Sequence, residues 1–174
     1  EAGGHNGREE TTTFTLIPMI KERIDIPVIG AGGIANGKSM LAAMILGADG
    51  VQIGSRFVAS HESSAHPDFK EAVVKAGEGD TELTLKELTP VRLLKNKFYH
   101  DLKALYRLSP TSDELKEFLG RARAKKGMFE GNLEDGELEI GQIAGMIHEI
   151  KSVQDIVNDI VLEFNHCKLN LQHL

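Results

Sequence analysis

A chain of 174 residues with a single cysteine, Cys167, cannot build an intramolecular disulfide framework. That scarcity fits a reducing compartment. Only a lone Lys168 stands beside Cys167 to activate it, so the thiol reads as a passenger. Long apolar runs are absent too. The longest candidate, Met40–Ile45, is far below the roughly 20 residues that span a bilayer. The opening Glu1–His5 has none of the basic and apolar character of a secretory leader. Positive charge is in deficit: the formal net charge of −6 argues against nucleic acid as a partner. His61, His66, His100, His148, His166 and His173 show no metal-ligand spacing with carboxylates or thiols. No internal repeat or low-complexity tract is present. These absences describe a soluble, cytoplasmic protein with no membrane span, no nucleic-acid partner and no metal.

What remains is ordinary globular composition, 41% apolar and 26% charged, with one unusual stretch. Pro27–Phe57 reads PVIGAGGIANGKSMLAAMILGADGVQIGSRF. Pro27–Ala31 is a short apolar run rich in β-branched residues, which predicts a fully buried parallel strand. Lys38–Gly47 places Met40, Ala43 and Met44 on one helical face, with Gly47 as C-cap. Val51–Gly54 predicts a second strand. Strand, helix and strand with short turns make a βαβ unit.

Both strands end in glycine turns. Gly30-Ala31-Gly32-Gly33 can bring backbone N–H groups close to a ligand, with the positive end of the following helix behind it. Gln52-Ile53-Gly54-Ser55 repeats the device one strand later and adds a hydroxyl. Gly33 and Gly54 lie 21 residues apart, so the turns occupy neighbouring strand ends, an arrangement suited to a phosphate monoester. The glycine spacing is not that of a dinucleotide fingerprint, and no acidic residue ends the next strand. His5 follows Gly3 and Gly4 in a close-approach loop, where an imidazole can act as general acid or base or stay an exposed loop residue.

Elsewhere, Thr11–Thr13 offer N-cap hydroxyls to a helix that should start near Thr15, so that Pro18 falls in its first turn. Further helices are predicted over Pro67–Ala76, from about Val91, over Lys97–Tyr106, Glu114–Ala124 and Ile140–Ile150, and after Ser152. Thr81–Leu85 reads as extended and Gly127–Gly136 as a loop. The basic run Arg121, Arg123, Lys125 and Lys126 is either a solvated face or a docking site for an acidic group. Only two convincing parallel strands emerge. Two strands cannot bury both faces of a parallel sheet, so the expectation is the C-terminal portion of a larger barrel.

Four motifs carry a family resemblance: EAGGHNG at Glu1–Gly7, PVIGAGGIANG at Pro27–Gly37, GADGVQIGSRF at Gly47–Phe57 and GQIAGMIHEI at Gly141–Ile150. Through them the chain resembles the nitronate monooxygenase (2-nitropropane dioxygenase) family and its relative, the flavin-dependent enoyl-acyl-carrier-protein reductase. The resemblance implies an α/β fold, the C-terminal portion of a TIM-type (β/α)8 barrel with a small, mostly helical inserted domain. Residues 1–60 would hold the last barrel strands, 61–136 the insert, and 137–174 the helices returning to the barrel. It also implies FMN, with Gly3, Gly4, Gly32 and Gly33 near its phosphate and ribityl chain and Gln52, Ile53, Gly54 and Ser55 holding the phosphate. His5 would be the active-site histidine. Substrates would be a small nitronate or nitroalkane and O2, giving a carbonyl compound and nitrite, with a homodimer left open. The family's N-terminal strands have no counterpart in these residues, so this piece alone is expected to bind FMN poorly and to be inactive. The alternatives are an NAD(P)H-dependent enoyl-acyl-carrier-protein reductase, an NADH:quinone reductase and a non-catalytic phosphate-binding module.

Overall fold

The computed structural model describes residues 2–7 and 10–171. Glu1 and His173, named above, lie outside them. The chain runs through α1 (Thr13–Lys21), β1 (Ile29–Ala31), α2 (Gly37–Ile45), β2 (Gly50–Gln52), α3 (Ser55–Val58) and α4 (Pro67–Lys75). It continues with β3 (Thr81–Thr84), β4 (Val91–Leu94), α5 (Lys97–Tyr106), α6 (Ser112–Leu119) and α7 (Arg123–Met128). A 3₁₀ turn (Gln142–Met146) and the long α8 (Val153–Asn170) complete it.

The βαβ unit forms as the pattern predicts, with β1 and β2 parallel and Gly30 opposite Val51. Asn36 caps α2 by accepting from the Ser39 amide, and the Ser39 hydroxyl returns the bond. Gly47 leaves the helix at φ +109°, a conformation glycine adopts without strain. Gly30 is enclosed by Ile17, Ala43 and Ala48, which lets α1 and α2 settle on the sheet. It is a packing glycine, not a ligand-facing one. Strand β1 departs from the predicted full burial: Gly30 is buried but Ile29 is 56% exposed. Helices α1 and α2 pack on the Gly30 face of this two-stranded sheet, while Ile29 and Ala31 on the other face are exposed. Strand β2 stops at Gln52, leaving Ile53 and Gly54 in the turn.

Four more expectations change. Val91–Leu94 is a strand, not a helix, antiparallel to β3, with all four residues buried. Burial on both faces overrides the helical spacing of the apolar residues. The helix after Thr111 ends at Leu119, because Gly120 takes φ +68°, and α7 starts afresh at Arg123 and runs into the predicted loop. Ile140–Ile150 is reduced to one 3₁₀ turn, because Ile140 stays extended with its amide on the Arg92 carbonyl, and Gly141 and Ile147 on either side of the turn are extended too. Helix α1 starts at Thr13, so Pro18 lies inside it. The carbonyl that Pro18 leaves unbonded belongs to exposed Phe14, where water can take it. The Ser152 cap and the Pro67 helix start stand as predicted.

Phe69, Val73, Leu138, Ile140, Ala144 and Ile147 form one core that also takes in Ala35 and Ala59 from the βαβ region. A second core gathers Leu93, Phe98, Leu102 and Leu115. Arg123 of the basic run closes that second core from outside. Its guanidinium donates to the carbonyls of Phe118, Leu119 and Asp135 and lies over the Phe98 ring. The buried Lys70 ammonium is a second internal staple, donating to the carbonyls of Ser60, His61 and Ser63. Cys167 is half-buried and unpaired in any disulfide.

Two substitutions test these contacts. Lys70→Met strands three carbonyls and should lower stability by roughly 2–3 kcal/mol in urea unfolding. Gly37→Ala would drive a Cβ into the backbone of Ile160 and Phe164 on α8. It should cost about 3 kcal/mol, and a loss under about 0.5 kcal/mol would mean that α2 and α8 are not in close contact.

Candidate functional site

The two glycine turns lie side by side and face one cavity of about 220 Å³. Its walls include Gly3, Gly4 and His5, then Gly32, Gly33 and Ile34, and finally Gln52, Gly54 and Ser55. Eight of the nine predicted site residues therefore meet. Ile53 is the exception, because it packs inward against Ile17 and Ala43.

Backbone geometry explains why glycine recurs. Gly32 (φ +89°) and Gly33 (φ +74°) turn the chain through the left-handed region after β1. A Cβ on Gly32 would press on the Gly3 amide at 3.3 Å, so the two glycine loops can touch only without side chains. Gly54 has open space where a Cβ would stand. Among the described residues, no acceptor meets the amides of Gly33, Gly54 or Ser55. Such open N–H groups on exposed backbone suit an anion.

Several side chains hold the loops in place. Thr13 uses its hydroxyl not as the predicted cap but as a donor to the carbonyls of Ala31 (3.1 Å) and Gly32 (2.8 Å). Asn6 Nδ2 donates to the carbonyl of Gly3 at 2.8 Å. Ser55 Oγ accepts from the Gly141 amide at 2.9 Å, which leaves its hydroxyl proton free to donate into the cavity. One expected contribution is missing. The first-turn amides of α2 do not face the cavity unpaired, because Glu163 Oε2 accepts from Gly37 (2.8 Å) and Lys38 (3.3 Å). That carboxylate neutralises the positive pole of α2.

His5 sits on an edge of β4. It bridges Val91, while Glu139 bridges Leu93 on the same strand. The His5 Nδ1 atom lies 3.0 Å from Glu139 Oε2, with the imidazole 71% exposed and the carboxylate 17%. Two residues before Glu139, on the same side of extended chain, Glu137 is only 6% exposed. Burial, reinforced by the Glu139 charge and opposed by Arg123 and His5, pushes the Glu137 carboxyl up to about 7.

A larger cavity of about 450 Å³ lies apart from the glycine turns, between α8 and the segment from Met146 to Glu149. It has size but lacks the glycine loops and His5, so the smaller cavity is the candidate site. No group of three or more metal-ligating side chains occurs among the described residues.

The sequence profile of the nitronate monooxygenase family matches residues 1–163. The chain belongs to this family. A probable nitronate monooxygenase of Staphylococcus saprophyticus is 32% identical over 181 residues, covering 95% of this chain and 49% of the relative. Among solved structures, FabK from Thermotoga maritima matches with a TM-score of 0.89 at 41% identity, over 99% of this chain and 54% of its own. A nitroalkane oxidase from Streptomyces ansochromogenes matches with a TM-score of 0.75 at 28% identity, over 98% of this chain and 51% of its own. The chain spans about half the length of the curated nitronate monooxygenases it matches.

In this family member, the residues that sequence reasoning passed over are the ones that support the site: Asn6, Thr13, Glu139 and Gly141. Of these, Asn6 and Gly141 lay in recognised motifs but were given no role there. Glu139 stands 134 residues from its partner, and no local spacing reports such a contact.

The raised Glu137 carboxyl has a thermodynamic consequence. Between its ordinary value of 4.5 and about 7, the folded chain holds the proton that the unfolded chain has released. Stability therefore falls as pH rises through that window, and the penalty is complete above it. Glu137→Gln should stabilise the protein by up to ~3 kcal/mol at pH 8 and by almost nothing at pH 4.5. Equal gains at both pH values in urea unfolding would contradict this account.

Proposed function

We propose that this chain supplies the phosphate-binding end and the active-site histidine of an FMN-dependent nitronate monooxygenase. Such an enzyme converts alkyl nitronates and O2 to carbonyl compounds and nitrite. The observation that carries the reading is the convergence of both glycine turns and His5 on one cavity in a member of this family. In this reading residues 1–60 are the last strands of a (β/α)8 barrel, 61–136 its insert and 137–174 the segment that returns to the barrel.

The residues present fit the phosphate end of a flavin. The amides of Gly33, Gly54 and Ser55 and the Ser55 hydroxyl offer donors to phosphate oxygens without a Cβ in the way. The cavity is below the ~300–1,000 Å³ of a typical small-molecule pocket, so it suits one end of a ligand. Bound FMN would supply the electron chemistry of the reaction. His5, at the rim of the cavity, would orient the nitro group. With a neutral nitroalkane it would also take the proton from the carbon next to nitrogen.

A second reading, an NAD(P)H-dependent enoyl-acyl-carrier-protein reductase, draws on the higher identity to FabK than to the nitroalkane oxidase. Anaerobic mixing separates the two. Bleaching of the flavin by a nitronate and not by NADH is the expected result, and the reverse would overturn the monooxygenase reading. Gly33→Val, which needs φ +74° and adds bulk at the turn, should weaken FMN binding at least ~10-fold in a fluorescence titration. Unchanged affinity would remove this turn from the site.

A further inference from the structure

We propose that Glu139 is a positioning residue for His5: it fixes the imidazole as the Nδ1–H tautomer and so presents Nε2 to the cavity as a proton acceptor. The inference rests on the reading of His5 as the active-site base and adds the group that makes it one.

An ionised carboxylate can only accept, so the 3.0 Å contact between Glu139 Oε2 and His5 Nδ1 requires the proton on Nδ1. The free lone pair is then on Nε2, and among the described residues nothing else meets the ring. His5 lines the cavity and Glu139 does not, so the pair is ordered from the carboxylate outside to the open nitrogen within.

An exposed ion pair with no more than this would be worth about 0–1 kcal/mol and could be incidental. The backbone argues otherwise. The Arg92 amide donates to the Gly4 carbonyl at 2.7 Å, and the Arg92 carbonyl accepts from the Ile140 amide at 3.1 Å. One residue of β4 thus clamps the residue before His5 and the residue after Glu139. With His5 bridging Val91 and Glu139 bridging Leu93, the two side chains stand two residues apart along one strand. Neither loop can move without breaking ladder bonds, so the imidazole loses little freedom when it acts. The buried Glu137 carboxyl interacts electrostatically with both members of the pair and, on its other side, with Arg123.

The proton step balances simply. The C–H bond next to the nitro group breaks, its electron pair becomes the C=N bond of the nitronate, and the proton moves to Nε2. The resulting imidazolium is held by the Glu139 carboxylate. A substrate supplied as the nitronate needs no such step, and this provides the discriminating measurement.

Two readouts test the proposal with Glu139→Gln and Glu139→Asp. In the ¹⁵N-histidine-labelled apoprotein, with the ring neutral, the His5 nitrogen shifts should report mainly Nδ1–H. They should move toward a tautomer mixture in Glu139→Gln and return in Glu139→Asp. In the flavin-loaded enzyme, Glu139→Gln should lower kcat/KM for a neutral nitroalkane about tenfold more than for its preformed nitronate. Circular dichroism and FMN content establish that the variants fold. An unchanged tautomer ratio, or equal losses on the two substrates, would overturn the proposal. If a flavin-loaded parent enzyme that also carries the family's N-terminal strands reacts with neither substrate, the function proposed above fails, while the tautomer measurement still decides the role of Glu139.

Discussion

Everything at the candidate site depends on the free edge of one four-residue strand. Strand β4 pairs with β3 along one side. Its other side is shared by two arms from opposite ends of the chain, the loop that bears His5 and the extended segment through Glu139. Those ladder bonds are individually worth only about 1 kcal/mol. Their importance is geometric: they bring into contact groups that chain connectivity leaves 134 residues apart. The apolar sides of β4 meanwhile hold the cores in place, with Leu93 in one and Leu94 in the other.

Around that edge the cavity is built by backbone rather than by reactive side chains. Two glycine loops touch where a single methyl would separate them. Thr13, Asn6 and Ser55 then take up polar groups of the loops and their neighbours, leaving selected amides open toward the cavity. The result is a rigid set of donors aimed at one place, which costs little reorganisation when an anion arrives. Side-chain chemistry is limited to one imidazole and the carboxylate behind it.

The βαβ unit and both glycine turns were legible because local rules govern them. Short apolar runs bounded by glycine read as strands, and Gly47 reads as the end of the helix between them. The helix at Pro67 and the cap at Ser152 were open to the same reading. What was hidden was non-local. Val91–Leu94 has helical spacing on paper and becomes a strand because Thr81–Thr84 and the two arms surround it. Ile140–Ile150 fails as a continuous helix because Ile140 is held extended by the Arg92 carbonyl, far away in sequence, and the chain is extended again at Ile147. At the site, the ligand-facing glycines were visible while their supports were not. Gly30 was even given the wrong task, since packing against Ile17 and Ala43 leaves no trace in a local motif.

The Glu163 carboxylate, which accepts from the first-turn amides of α2, also ties two distant parts of the molecule. It anchors Gly37 and Lys38, four and five residues beyond Gly33, to the penultimate turn of α8. Occupancy of the cavity and docking of the last helix therefore share one mechanical link. A ligand that stiffens the turn at Gly33 should slow the fraying of α8. In the same way, trimming the chain within that helix should loosen the turn at Gly33, which the helix itself does not form.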